Sequence, residues 1–170
     1  MATDFGRQPV ATFYNDLIEK GEAAIKAVLE GADTGIDAAQ ILTSFSTQRE
    51  TKGRASIIIN GLGGQEDGHN SGNERLSWVV SVESNADDVK DEETTEENGA
   101  ARARHRDYCA KVFDALKAPG LHTALSAAVE EFTVFDSIQR SRGPSRLVKR
   151  KFQSEFRLEF SCAPSAIAAS

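Results

Sequence analysis

In "RLSWVVSVES", residues 75–84, apolar and polar positions alternate: Leu76, Trp78, Val80 and Val82 take one side, Ser77, Val79, Ser81 and Glu83 the other. A period of two predicts a half-buried strand. "LVKRKFQSEFRLEFSC", 147–162, carries the same signal: Phe152, Ser154, Phe156, Leu158, Phe160 and Cys162 oppose Gln153, Glu155, Arg157, Glu159 and Ser161. "FTVFDSIQR", 132–140, is strand-like and precedes it across the turn residues "SRGPSR", which predicts a hairpin. "RASIIING", 54–61, is a strand with a β-branched centre stopped by Asn60-Gly61, and "ILTSFST", 41–47, is a further candidate.

Helical spacing appears twice. In "ATFYNDLIEKGEAAIKAVLEG" the residues Phe13, Leu17, Ile18, Ile25, Val28 and Leu29 recur near i, i+4, i+7. Pro9 suits a first turn and Gly31 a C-cap, so a helix is expected over about Val10–Glu30. Gly21 should weaken its middle by about 1 kcal/mol relative to alanine. From about Glu97 the stripe Tyr108, Cys109, Val112, Phe113, Leu116 predicts a second helix, broken at Pro119-Gly120, with "LHTALSAAVEE" as a short continuation.

Between these elements lie "NGLGGQEDGHNSGN", 60–73, with five glycines and three asparagines, and the acidic 85–98 stretch. Both read as long mobile loops, and the tail from about 164 as loose. The order is helix, two or three strands, broken helix, two strands. It predicts a single α+β domain: a mostly antiparallel β-sheet flanked by α-helices on one face.

The 170 residues suit one domain, large enough to fold without disulfides or metal. A net charge of −6 argues against a general nucleic-acid coat. The first residues lack a basic start and apolar run, so no secretory signal is expected, and no stretch is apolar enough to span a bilayer. Cys109 and Cys162 are then expected to be reduced and buried.

The charged segments are the candidates for function. Seven acids fall between Asp87 and Glu97, among them Asp87, Asp88, Asp91, Glu92 and Glu93. "DDVKDEETTEEN" lacks the sixth-position glycine and closing glutamate of a calcium loop. Acids before a helix favour its dipole, arginines further along can pair with them, and Thr94 or Thr95 could cap, so this run reads first as a solvated loop leading into the second helix, with a docking surface for a neighbour as the alternative. The opposite sign gathers in "QRSRGPSRLVKRK": Arg140, Arg142, Arg146, Lys149, Arg150 and Lys151 surround the hairpin tip. Such a tip could touch phosphates, meet an acidic surface on another subunit, or serve only as a soluble loop. Head-to-tail contact between identical copies would bring the two signs together.

Other chemistry finds less support. His105 and Cys109, four apart, share a helix face; zinc would need further ligands, and a buried cysteine on the apolar stripe is the plainer reading. The glycine segment has no lysine and leads into a strand, so it is not a phosphate-binding loop. No nucleophile elbow is present. His105, Cys109 and Asp107 form the only nearby titrating group, and no enzyme, cofactor or metal is expected.

"WVVSVESNADD", then "HRDYCAKVFDALKAPGLHTALSAA", then "FTVFDSIQRSRGPSRLVKRKFQSEFRLEFSCAPS" together resemble the tail-completion or tail-terminator proteins of tailed bacteriophages, over about residues 76–164. The resemblance implies a structural virion protein without an active site. It implies a homo-oligomeric ring, usually hexameric, on top of the tail tube, which ends tube polymerisation and presents a surface to the head–tail connector. Its partners would be itself, the tail tube protein and a connector or neck protein. DNA could pass through the ring without specific recognition, and no membrane would be involved. Localisation would be the virion neck, with host cytoplasm during assembly. Another neck component, such as a head–tail connector or head-closure protein, is the alternative, followed by a host cytosolic α+β binding module. Reversing the charge of Arg140, Arg142 and Arg146 is expected to weaken assembly while the monomer stays folded.

Overall fold

The computed structural model describes residues 10–44, 55–66, 74–85, 95–128, 132–143, 145–148 and 150–164. The elements are α1 (Val10–Gly31), β1 (Ile41–Thr43), β2 (Ala55–Glu66), β3 (Glu74–Asn85), α2 (Thr95–Lys117), α3 (Pro119–Ala128), β4 (Phe132–Arg142), β5 (Arg146–Val148) and β6 (Lys151–Pro164). A short 3-10 turn, Ala38–Gln40, leads into β1 and is capped by Asp37, whose side chain accepts from the Ala39 N–H.

The strands form one sheet in the order β1-β2-β3-β6-β4, with β5 also pairing with β6. Only β1 and β2 run parallel; the other pairs are antiparallel. This is the expected α+β architecture. Alternation places Ile57 and Ile59 of β2, Trp78, Val80 and Val82 of β3, and Phe156 and Leu158 of β6 on one face. Ile25 and Leu29 of α1, Cys109, Val112 and Leu116 of α2, and Leu121 and Leu125 of α3 close over them in one buried cluster. Burial of this many large aliphatic side chains, each worth about 1.5–3 kcal/mol, is the main stabilising term. The opposite face carries Asn60, Glu83, Gln153, Glu155, Arg157 and Glu159, all half-buried or exposed.

The expected loop over 60–73 is shorter than its composition suggested. β2 continues through Gly61, Gly63 and Gly64, which pair with Trp78, Ser77 and Leu76, with Leu62 as the extra residue of a bulge. Glycine is required here by contact. A Cβ on Gly61 would overlap the Ile18 side chain, and one on Gly21 would overlap the Trp78 indole. Gly21 therefore lets α1 lie directly on the sheet, which offsets its poor helix propensity. Helix α2 likewise begins at Thr95, inside the stretch expected to be loop, whereas Thr94 lies outside the described residues. Pro119 opens α3 as its first residue, a position that needs no N–H.

Candidate functional site

The hairpin arms expected over 132–140 and 147–162 pair as β4 and β6, but the outgoing arm is interrupted between β4 and β5 while β6 returns without a break. After Arg142 opposite Phe156, the Gly143 N–H still donates to the Glu155 carbonyl at 2.8 Å. Pairing resumes with Arg146 opposite Gln153 and Val148 opposite Lys151. Arg150, in the tight turn between the last two, has φ 62, in the left-handed region.

This interrupted strand sets the cations. Arg142 is exposed and its guanidinium lies 5.8 Å from the Phe156 ring centroid. Arg146 is exposed and pairs with Glu155 at 3.6 Å. Arg150 is exposed in the turn, and Lys151 starts β6. Arg102 of α2 joins them, 5.8 Å over the Phe152 ring, because Ala101 packs against Phe152. Among these cations lies Leu147, one of two large exposed apolar side chains among the described residues, at 51%. Arg140 is placed differently: it is half-buried and its Nε–H donates to the Leu116 carbonyl at the end of α2. Burial holds its pKa below the ordinary arginine value. Lys149, Asp87, Asp88, Asp91, Glu92 and Glu93 lie outside the described residues.

Behind the cations is a buried polar relay. His105 is 1% exposed, with Nδ1 2.7 Å from the Ser84 Oγ and Nε2 2.8 Å from the Ser154 Oγ. Ser154 is in turn 2.6 Å from the Oγ of Ser145, an exposed residue in the strand interruption. The Cys109 Sγ lies 3.5 Å from His105 Nε2. Burial, assisted by the charge of Arg142, lowers the His105 pKa to about 4, so the ring is neutral at neutral pH. Burial also raises the Cys109 thiol, against smaller opposing effects of Ser154 and Arg142. A neutral imidazole has one N–H and one acceptor nitrogen, and a serine hydroxyl can serve either. The relay thus fastens α2 to β3 and β6 and fixes the strand interruption against the core.

The thiol is protonated and enclosed, which suits packing and not nucleophilic attack. Among the described residues, no three His, Cys, Asp or Glu side chains are arranged to hold a metal ion. The helix-face spacing brought His105 and Cys109 together in the sequence; Ser84, Ser145, Ser154 and Arg102 carried no local signal.

No protein-family model matches the chain, and no curated protein matches it. One solved structure, of a protein whose designation states no function, is similar at a TM-score of 0.45 and 12% identity, over 87% of this chain and 94% of that one. Similarity at that level gives no functional inference.

Proposed function

We propose that this chain is a structural virion protein of a tailed bacteriophage, a tail terminator that forms a ring on the tail tube, stops its growth and offers the surface for head joining. The observation that supports this most is the build of the charged turn. In the segment that resembles tail-terminator proteins, Arg142 and Arg146 stand on the interrupted edge strand and Arg150 in the turn after it, and the Ser145–Ser154–His105–Ser84 relay holds that strand against the core. A set of cations held in place at a sheet edge suits a repeated contact between subunits, where orientation matters more than local chemistry. In this reading one face of the ring copies the interface that the last tube ring expects, and the other lacks the surface a further tube subunit needs.

The test is electron microscopy of particles from a virus lacking the gene. Overlong tails of variable length, detached from filled heads, are expected. Tails of normal length that fail to join heads would move the protein to the connector side of the neck. Normal virions would end the structural reading.

A further inference from the structure

Leu147 belongs to a row that crosses four strands: Ala55 pairs with Ser84, Ser84 with Phe152, and Phe152 with Leu147. The basic corner is therefore at one lateral edge of the sheet, at the level where β2 begins on the other side. The opposite edge is formed by β1, whose Ile41 is level with Ile57, two residues further along. Four strand spacings, about 19 Å, separate the two edges. The last turn of α1 and its connection into β1 carry three exposed acids, Glu30 in the helix and Asp33 and Asp37 after it. Glu30 pairs with Lys26 at 3.2 Å, Asp37 caps the 3-10 turn, and Asp33 acts on the Lys111 ammonium.

We infer that the basic, leucine-centred corner of one copy packs against the acidic α1–β1 connection of a second copy, joining opposite sheet edges head to tail. Charge is the first ground. The chain carries −6 overall while Arg102, Arg142, Arg146, Arg150 and Lys151 gather at one corner, so the rest of the molecule is more acidic still and a second copy supplies the complement. Position is the second. The two patches are at nearly the same level of the sheet on opposite edges, so a lateral neighbour meets its complement with little slide along the strands. Composition is the third. Arginine forks match carboxylates in a bidentate way, and a half-exposed leucine among them suits a protein surface; a phosphate backbone offers it nothing to pack on. The contact is heterologous, the type that generates rings when the rotation closes.

This inference rests on the assembly reading above and specifies its interface. Three purified proteins test it by light scattering and negative-stain microscopy: the unaltered chain, Arg146→Glu/Arg150→Glu, and Asp33→Arg/Asp37→Arg. Circular dichroism checks that each is folded. The unaltered chain should form rings that loosen with added salt, and each variant alone should associate about tenfold more weakly or worse. An equal mixture of the two variants should recover assembly, since each then meets its opposite. Folded variants that form rings as readily as the unaltered chain, or a mixture that stays dissociated, would overturn the interface and leave the ring reading intact. An unaltered chain that remains monomeric at all concentrations would overturn both. Binding of a short DNA duplex that the arginine variant loses, with its assembly unchanged, would reassign the corner to phosphates and overturn the inference.

Discussion

Two buried polar side chains anchor the helices to the sheet, and they do so in opposite ways. Glu22 of α1 is 1% exposed, and its carboxyl oxygens accept from the Gly61 N–H at 2.7 Å, the Ser44 N–H at 3.1 Å and the Ser44 hydroxyl at 2.7 and 2.8 Å. It ties the end of β1 and the middle of β2 to one helix. His105 of α2 is equally enclosed, but it is neutral and shares its two nitrogens with hydroxyls that can donate or accept. The Glu22 anchor gathers two backbone N–H groups, of Gly61 and of Ser44, the latter shared with the Ile59 carbonyl at 3.1 Å. The His105 anchor depends on rotatable groups that can rearrange, and on the ring's own protonation. The first should therefore be the more costly to remove, and the second the one that responds to conditions.

Removing the first anchor should give the largest loss. Glu22→Ala removes the hydrogen bonds from the Gly61 N–H, the Ser44 N–H and the Ser44 hydroxyl together and empties the space that the buried side chain fills, and is expected to cost about 4 kcal/mol in a denaturant titration. A loss under about 1 kcal/mol would show that water replaces the carboxylate and that the anchor is not distinctive.

The second anchor should show in pH. The His105 pKa is about 4 in the folded protein against an ordinary 6.5 for histidine in an unfolded chain, so between these values the unfolded chain binds the extra proton. Its contribution to stability is complete above about pH 6.5 and is lost as pH falls toward 4, by up to about 3 kcal/mol. Denaturant midpoints across that window should fall steeply, and His105→Gln should flatten the part due to this residue. An unchanged slope in that variant would assign the acid sensitivity elsewhere.

Two smaller effects sharpen the contrast. Gly21→Ala presses a methyl into Trp78 beside the Glu22 anchor and should destabilise by about 2 kcal/mol, although alanine is the better helix former. A stabilised variant would mean that α1 shifts freely on the sheet. Arg140→Ala removes the donor to the Leu116 carbonyl on the α2 side and should cost about 1 kcal/mol. If its loss instead affected only ring formation, Arg140 would belong with the outward-facing cations.

The contrast also explains what the sequence could reveal. Strands β3 and β6 were legible because alternation is local and their inward residues, Trp78, Val80, Phe156 and Leu158, follow it without interruption. The cysteine-bearing stripe of α2 was legible for the same reason at helical spacing. The strand through Gly61, Gly63 and Gly64 was not, since nothing local marks glycine as extended; pairing with β3 and the approach of Ile18 decide it. The partners of His105 are 21 and 49 residues away, and the acceptor of Arg140 is 24 away. A charge in a turn reads as surface until the chain that receives it is placed. Arg142, Arg146 and Arg150 did gather as their spacing suggested, whereas Arg140 is occupied in ending a helix.

Trp78 is the only tryptophan in the chain, fully buried under Gly21, with its indole N–H donating to the Ile18 carbonyl at 3.2 Å. The molecule thus carries one indole fluorophore, which can be excited apart from its two tyrosines, set at the seam between its first helix and the centre of the sheet. Lifting that helix would wet the indole and move its emission to longer wavelength, while events at the far sheet edge would leave it dark to the change. Whether subunit joining disturbs the α1 seam can therefore be followed optically, with no label added.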